Sequence, residues 1–380
     1  MRCSSLLLIL AIAACDRSVG APTPEPHNPP APAPPATVPP APPRAEHAAK
    51  PTYDKLCAPC HGVDLKGYTA DHAPSLVNTT FLESATDDFL RKSIVVGRPG
   101  TSMGAYGKAM GGPLDDAALD GIVEYIRQQG PPPRKLAAIG KGDPARGAPV
   151  YTEYCKSCHG DATTRGEAIH LANVQFQKMA TDPFIRYAIE KGRPGTKMLA
   201  FGPVMSPAQL DDLVAYTRAL GSGVPTVSLL SSPTGKEPMV INPKGKDPIW
   251  KPRSDRFISV DDVAKALAEG KRMVIIDARP PSEWMRVHLK GAISIPYHDM
   301  KRLDELPKDV YAVAYCACPH HLSGIVVDEL VKRGHKKALV LDEGINVWHQ
   351  RKYPVTAAEG VTIPVNEPPQ DHSGHDHTGH

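Results

Sequence analysis

The chain has 380 residues, which is enough for about two or three domains of ordinary size. Lysine and arginine exceed aspartate and glutamate only by 44 to 41, and the formal charge of +3 argues against a nucleic-acid partner. Because proline interrupts helices and sheet ladders, many of the 41 prolines must lie outside packed cores.

Residues 1–14 are predicted to be an export signal. Arg2 supplies a positive charge, and the apolar run after it is too short to span a bilayer as a mature helix. The run ends at Cys15 and resembles the lipobox of bacterial lipoproteins. That resemblance implies cleavage before Cys15, lipidation of Cys15, and retention at the periplasmic face of the inner membrane because Asp16 follows. An ordinary secretory signal cleaved elsewhere is the alternative.

The next segment, residues 15–50, consists mostly of proline, alanine and small polar residues. It cannot bury enough apolar surface to fold, so we predict an extended, polyproline-II-like tether. Composition and internal repetition divide the rest of the chain into six parts. These are a first repeat, a linker, a second repeat, a second linker, an α/β domain and a disordered histidine-rich tail, at 51–130, 131–143, 144–222, 223–256, 257–360 and 361–380.

The two repeats carry the same features in the same order. Each has a tyrosine, then Cys-x-x-Cys-His, then Arg-Pro-Gly-Thr-x-Met, then an apolar helix pattern that contains a second tyrosine. The positions are Tyr53, Cys57–His61, Arg98–Met103 and Tyr125 in the first repeat, and Tyr151, Cys155–His159, Arg193–Met198 and Tyr216 in the second. The ordered match predicts a duplicated domain.

Cys-x-x-Cys-His is the attachment sequence of c-type haem. Two thiols at this spacing can bond to the two vinyl groups of a porphyrin, and the adjacent histidine can then bind the iron. A zinc-binding or thioredoxin-like role is disfavoured because the histidine follows in both copies. We therefore predict two covalently bound haem c groups, attached at Cys57, Cys60 and His61 and at Cys155, Cys158 and His159.

Both repeats resemble class I cytochrome c domains, over residues 50–130 and 144–221. The resemblance implies three or more helices around each haem, with the terminal helices crossing where the paired tyrosines pack. It also implies Met103 and Met198 as the distal iron ligands. Thioether ligation fills the last coordination position and favours electron transfer over substrate chemistry. The alternatives are Met110 or Met205, and His72 or His170.

From Phe257 the pattern alternates between helix and strand. Ser259 is predicted to cap a helix over Val260–Glu269, and a second helix is predicted over Ser323–Arg333. Short apolar runs predict buried parallel strands at Met273–Asp277, Ile293–Pro296, Val310–Cys316 and Ala338–Leu341.

This α/β domain resembles a rhodanese through Val274–Arg279, Glu283-Trp284, His288–Pro296, Tyr315-Cys316 and Leu341–Trp348. The resemblance implies that Cys316 is a sulfur carrier, held in a loop whose backbone N–H groups favour a thiolate and then a persulfide. We assign Cys316, Cys318, Asp277 and Arg279 to the catalytic group.

The loop after Cys316 departs from the rhodanese pattern. It is one residue longer, it lacks the usual arginine, and Pro319 removes an N–H donor, which puts thiosulfate turnover in doubt. Three alternatives follow: a redox pair of Cys316 with Cys318, a copper or zinc site that adds His320 and His321, and a domain that only docks partners.

The predicted fold class is therefore multidomain, with two mainly-α cytochrome c domains followed by an α/β rhodanese-like domain with a parallel sheet. The predicted function is a membrane-tethered dihaem cytochrome that passes electrons to periplasmic redox proteins. We expect this transfer to be coupled to a small sulfur donor at Cys316, such as sulfane sulfur, thiosulfate or a persulfide. A simple electron carrier with a non-catalytic rhodanese module is the alternative.

Overall fold

A computed structural model describes residues 46–67, 73–222, 229–317 and 320–361, which belong to one compact unit. The predicted signal, Cys15, most of the tether and the histidine-rich tail beyond Val361 lie outside the described residues, as do His72 and Cys318. No helix in the described part of the chain is long and apolar enough to cross a membrane.

The first repeat is helical, as predicted. Asn78, Thr86 and Asp115 cap helices by accepting hydrogen bonds from backbone N–H groups in the first turn, which fixes three of the helix starts. A short 3-10 helix spans Lys108–Met110. The α-helices are α1 (Lys50–Leu56), α2 (Ala58–His61), α3 (Thr79–Ser84), α4 (Asp87–Val96) and α5 (Asp116–Arg127).

The second repeat reproduces this order with α6 (Pro144–Tyr154), α7 (Lys156–His159), α8 (Val174–Met179), α9 (Asp182–Lys191) and α10 (Pro207–Leu220). Asn173 and Thr181 cap α8 and α9 in the way that Asn78 and Thr86 cap α3 and α4. The caps occur in the same sequence context, and the duplication predicted from the motifs is confirmed.

The paired tyrosines pack where the first and last helices of each repeat meet. The ring centroids of Tyr53 and Tyr125 are 5.2 Å apart, and those of Tyr151 and Tyr216 are 5.0 Å apart. This arrangement confirms the predicted crossing of the terminal helices.

The two repeats share one hydrophobic core and contact each other through matching residues. The Asn78 amide donates to the Pro194 carbonyl at 2.9 Å, and the Asn173 amide donates to the Pro99 carbonyl at 2.8 Å. Phe89 of α4 stacks on its counterpart in α9, Phe184, with centroids 4.8 Å apart. Each Arg-Pro-Gly-Thr-x-Met loop is therefore held by the opposite repeat.

The arginines of these loops are half-buried in the same interface. Arg98 lies over the Phe89 ring at 5.5 Å, and Arg193 lies over the Phe184 ring at 5.5 Å. Burial lowers the pKa of each guanidinium to about 10. Both remain charged at neutral pH and place positive charge inside the shared core.

The α/β domain contains a five-stranded parallel sheet in the order β1-β6-β5-β2-β4 and an antiparallel pair of β3 with β7. Its strands are β1 (Phe257–Ile258), β2 (Val274–Asp277), β3 (Val287–Leu289), β4 (Ile293–Ser294), β5 (Ala312–Tyr315), β6 (Ala338–Leu341) and β7 (Val355–Ala357). Its helices are α11 (Val260–Ala268), α12 (Pro281–Trp284), α13 (His321–Lys332) and α14 (Gly344–Gln350), with a 3-10 helix at Lys301–Glu305.

The parallel sheet has a hydrophobic core on each face. Every residue of β2, β5 and β6 is buried, as expected for central parallel strands covered by helices. Ser259 caps α11 by accepting from the Asp262 N–H. The predicted helices, the predicted strands and the parallel arrangement of the strands are confirmed, with ends shifted by at most two residues.

The predicted second linker packs against the α/β domain over its described part. The Leu230 N–H donates to the Met285 carbonyl at 2.7 Å, and Ile241 forms an antiparallel bridge with Met273. The described part of this segment, residues 229–256, is therefore attached to the domain that follows it.

Candidate functional site

Each Cys-x-x-Cys-His segment sits at a break between two helices. The first cysteine follows the long helix, and a glycine with positive φ ends the short one: Gly62 at 77° and Gly160 at 73°. The hydroxyls of Tyr53 and Tyr151 donate to the carbonyls of these glycines at 2.8 and 2.9 Å. The same clamp thus holds both attachment segments.

The histidine of each segment has one ring nitrogen engaged by the backbone. His61 Nδ1 donates to the Pro74 carbonyl at 3.1 Å, and His159 Nδ1 donates to the Ile169 carbonyl at 2.8 Å. This arrangement fixes the tautomer and leaves Nε2 as the nitrogen that can bind iron. The residues therefore fit an axial histidine in both repeats.

The cysteines are suited to thioether bonds. Cys57, Cys60, Cys155 and Cys158 form no disulfide in the described structure. Burial raises the pKa of Cys57 to about 12 and that of Cys155 to about 11, which disfavours thiolate chemistry. Among the described residues no three or more His, Cys, Asp or Glu side chains form a group that could hold a metal ion.

The methionine loops have the same backbone geometry in both repeats. Arg98 N–H donates to the Met103 carbonyl at 2.7 Å, and Arg193 N–H donates to the Met198 carbonyl at 2.9 Å. Both methionine side chains are half-buried, whereas Met205 is buried in the core. These positions favour Met103 and Met198, whose ligation of iron stays a prediction.

Two of the other candidate ligands lie within the described residues. His170 Nε2 donates to the Asp161 carbonyl at 2.8 Å, and so this nitrogen is already engaged. Met110 is half-buried at the end of the 3-10 helix in the first repeat. His72 lies outside the described residues.

Cys316 follows the carboxyl end of β5, the central strand of the parallel sheet. Open parallel sheets bind ligands at the carboxyl ends of their strands. Its side chain is 1% exposed, and Sγ lies 3.4 Å from Ser323 Oγ in the first turn of α13. Gly344, with φ of 65°, approaches so closely that a Cβ there would lie 2.5 Å from the Cys316 carbonyl oxygen. The cysteine is therefore held by packed segments on both sides.

Asp277 and Arg279, predicted as catalytic, form a fully buried ion pair. Arg279 Nε donates to Asp277 Oδ1 at 2.9 Å, and the Tyr315 hydroxyl donates to Asp277 Oδ2 at 2.7 Å. Arg279 also donates to the Val287 carbonyl at 2.6 Å, which ties β2 to β3. These contacts give the pair a positioning role around the strand end, and its catalytic role stays a prediction.

The histidines proposed as metal ligands contact other groups. His320, in a left-handed conformation with φ of 70°, lies 2.6 Å from the Asp342 carbonyl through Nε2. His321 Nδ1 donates to the Pro59 carbonyl at 2.8 Å. Cys318, which the metal and redox alternatives both require, lies outside the described residues.

Family models match three consecutive parts of the chain. Residues 47–130 match "Cytochrome c", residues 142–216 match "Cytochrome C oxidase, cbb3-type, subunit III", and residues 259–351 match "Rhodanese-like domain". The chain contains two cytochrome c domains followed by a rhodanese-like domain. The first and second repeats are cytochrome domains 1 and 2, which implies covalently bound haem c.

The relatives match either the cytochrome part or the rhodanese-like part of the chain. A cbb3-type cytochrome c oxidase subunit FixP from Azorhizobium caulinodans is 30% identical over 195 residues, 47% of this chain and 60% of that protein. A sulfurtransferase from Allochromatium vinosum is 28% identical over 112 residues, 27% of this chain and 96% of that protein. A solved rhodanese-like domain from Anabaena sp. is 20% identical, covers 30% of this chain and 82% of that chain, and has a TM-score of 0.26.

Cytochrome domain 1 contacts the rhodanese-like domain through its predicted haem-binding segments. Ser102 Oγ donates to the Ala317 carbonyl at 3.1 Å, and His321 donates to Pro59. Ser102 precedes Met103, and Ala317 follows Cys316. The two candidate sites in the chain are thus adjacent.

Two further residues of the rhodanese-like domain complete this contact. Ser282 Oγ donates to the Ala105 carbonyl and accepts from the Ala105 N–H, both at 3.0 Å. The buried Tyr297 hydroxyl donates to the Leu56 carbonyl at 2.6 Å and lies 3.0 Å from the Tyr106 hydroxyl. Sequence reasoning missed this interface. A signal for it existed in the small residues that domain 1 carries where domain 2 has Lys197 and Leu199.

Proposed function

We propose that the protein is a lipid-anchored dihaem c-type cytochrome at the periplasmic face of the inner membrane, which carries away electrons released by sulfur chemistry at Cys316. The hydrogen bond from Ser102 to Ala317 is the observation that most directly supports this coupling. It joins the residue before the predicted iron ligand Met103 to the residue after the candidate sulfur carrier.

A second contact has the same character. His321 begins α13 just after the Cys316 loop, and its partner Pro59 stands between Cys57 and Cys60. Both segments of domain 1 that would hold haem therefore touch the loop that would hold sulfur. When bound, haem c supplies a one-electron carrier in each cytochrome domain.

A small cavity beside Ala317, the residue after the buried Cys316, has room for a small inorganic sulfur species but not for a protein-bound donor. The cavity, of about 20 Å³, lies between the two domains, lined by Gly100 and Thr101 on one side and by Arg286 and Ala317 on the other. This is close to the space that one water molecule needs. Arg286 contributes a half-buried positive charge that would attract an anion.

Hydrosulfide, unlike thiosulfate, is a sulfur donor that releases electrons when it forms a persulfide with Cys316. When HS⁻ adds to the Cys316 thiolate, an S–S bond forms, one proton leaves to solvent, and two electrons are released, the number that two one-electron carriers take up. The outer sulfur of the persulfide then passes to an acceptor nucleophile, and the thiolate returns. Thiosulfate would instead transfer sulfur with sulfite as the leaving group and would release no electrons.

The other parts of the proposal have separate support. The sequence around Cys15 supports the lipid anchor, and the two attachment segments support two haems. The relatives named as cbb3-type oxidase subunits support a redox protein as the electron acceptor. The intact mass of the mature protein tests the anchor and the haem count together, since it must include two porphyrins and the lipid.

Stopped-flow mixing of the oxidised holoprotein with sulfide tests the coupling. We expect haem reduction to be at least about tenfold slower in Cys316→Ser, because the sulfur-binding step is lost. Reduction by dithionite should be the same in both proteins and controls for intact haem sites. Equal rates with sulfide would contradict the coupling and favour a rhodanese module that only docks.

A further inference from the structure

The two cytochrome domains have corresponding surfaces that differ in what covers them. Five positions of domain 1 contact the rhodanese-like domain, and counting from the shared motifs identifies their counterparts in domain 2. The covered face is Leu56, Pro59, Ser102, Gly104 and Ala105, and the open face is Tyr154, Ser157, Lys197, Leu199 and Ala200. The backbone supports this register, since Tyr106 N–H bonds to Ile94 and Phe201 N–H bonds to Ile189, each at 3.0 Å.

Exposure separates the two faces completely. Every residue of the covered face is buried or half-buried, and every residue of the open face is exposed. Leu199 is 69% exposed and Tyr154 is 50% exposed. Large apolar side chains that are grouped on a surface mark sites of association more often than isolated ones do.

The position of Leu199 in the open face corresponds to a position of domain 1 that faces the rhodanese-like domain. A Cβ on Gly104 would lie 3.1 Å from Pro280 Cγ and 3.2 Å from Glu283 Cγ, both in the rhodanese-like domain. A side chain at this position is therefore directed at a neighbour, and Leu199 holds the same position in domain 2. In domain 1 this neighbour is the rhodanese-like domain of the same chain.

The lysines around the open face form ion pairs. Lys197 pairs with Glu167 at 3.0 Å, and Lys156 pairs with Asp161 at 3.3 Å. Both lysines near the apolar side chains are thus paired with carboxylates, and the Glu153 carboxylate hydrogen-bonds to Tyr154. A partner that binds here would depend on apolar contact, and its association would change little with ionic strength.

We propose that the open face of cytochrome domain 2 is where electrons leave the protein, and that its partner is a separate redox protein with an apolar surface over its own redox centre. The rhodanese-like domain closes the corresponding face of domain 1 to such a partner. Domain 1 exchanges electrons within the chain, and domain 2 exchanges them outside it. The assignment needs a haem in each domain and is independent of the sulfur chemistry.

The probe is a small blue-copper protein that has an apolar patch over its copper. The holoprotein is reduced with dithionite and mixed with the oxidised probe, and the bimolecular rate of copper reduction is measured. We expect Leu199→Glu to lower this rate about tenfold or more, because it places a charge in the apolar contact. Tyr154→Glu, on the same face, should lower it in the same direction.

Val63→Glu is the matched control. Val63 lies in domain 1, outside the covered face, and is also 69% exposed, so the change has the same chemistry at equal exposure. Its rate should equal that of the unsubstituted protein. Unchanged rates in both open-face variants, or a loss in Val63→Glu alone, would overturn the proposal. A dimer that Leu199→Glu dissociates would assign the face to a second copy of the chain and would overturn it too.

Discussion

Cytochrome domains 1 and 2 share their helix order, their tyrosine clamps and their histidine hydrogen bonds, but they differ in what lies against them. Domain 1 has Ser102 and Gly104 where domain 2 has Lys197 and Leu199, and the smaller side chains let the rhodanese-like domain approach. A duplicated domain can therefore gain a permanent neighbour through a few surface residues, with its cofactor motifs unchanged.

Giving domain 1 the residue of domain 2 should have the largest effect on this difference. In Gly104→Leu even the Cβ would be crowded by Pro280 and Glu283, and leucine adds three more carbons. We expect the free energy of unfolding to fall by about 2–3 kcal/mol, and sulfide-dependent haem reduction to slow. Urea unfolding can be followed by tryptophan fluorescence, because Trp250, Trp284 and Trp348 all lie beyond the cytochrome domains.

The reverse change, Leu199→Gly, is the control for Gly104→Leu. Leu199 is exposed, so its loss should leave the unfolding midpoint nearly unchanged. Equal midpoints for Gly104→Leu and the unsubstituted protein would show that the contact tolerates a large side chain.

Acid should weaken the contact of domain 1 through His298. Burial, and then the charge of Lys55 in domain 1, lower the pKa of His298 to about 4. The unfolded chain, in which this histidine has its ordinary pKa of 6.5, therefore binds more protons between pH 6.5 and 4. Stability falls as the pH drops through this window, by about 1–2 kcal/mol at pH 5.

His298→Gln removes this titration and tests it. Urea midpoints at pH 7.5 and pH 5 should differ less for the variant than for the unsubstituted protein. Other buried histidines titrate in both proteins, so the difference between the two slopes is the relevant quantity. Identical slopes would mean that His298 is protonated equally in the folded and unfolded chains.

Effects of about the same size as the pH effect are expected at the symmetric contact between the cytochrome domains. Asn78 and Asn173 each cap a helix and donate to a proline carbonyl of the opposite domain, so Asn78→Ala and Asn173→Ala should each cost about 1–2 kcal/mol. Asn78→Ser keeps the capping oxygen and loses the amide donor, which separates the two contributions. Unequal losses at the two positions would show that the interface is less symmetric than its hydrogen bonds.

The sequence predicted the features that depend on local pattern. Cys57–His61 and Cys155–His159 are recognisable because covalent attachment requires a fixed spacing. The strands at β2, β5 and β6 are recognisable because buried parallel strands form continuous apolar runs. The helix start at Ser259 is predicted from capping chemistry.

The contact between the two sites could not be predicted in this way. Ser102 and Ala317 are 215 positions apart, and Ser102 is the variable position of its motif, so the motif does not predict the contact. Tyr297 belongs to no motif, and its hydroxyl donates to the carbonyl of Leu56, which is 241 positions away. Only the tertiary arrangement brings such residues together, although comparison of the two repeats position by position identifies where they differ.

The stacked pair Phe89 and Phe184 has a practical consequence for anyone who wishes to express fragments. A cut in the segment 131–143 would leave one aromatic ring and one half-buried arginine bare on each half. The three domains that motifs distinguish are therefore not three pieces that can be purified apart. The two cytochrome domains should be expressed as one fragment, and we expect that fragment to unfold in a single cooperative transition.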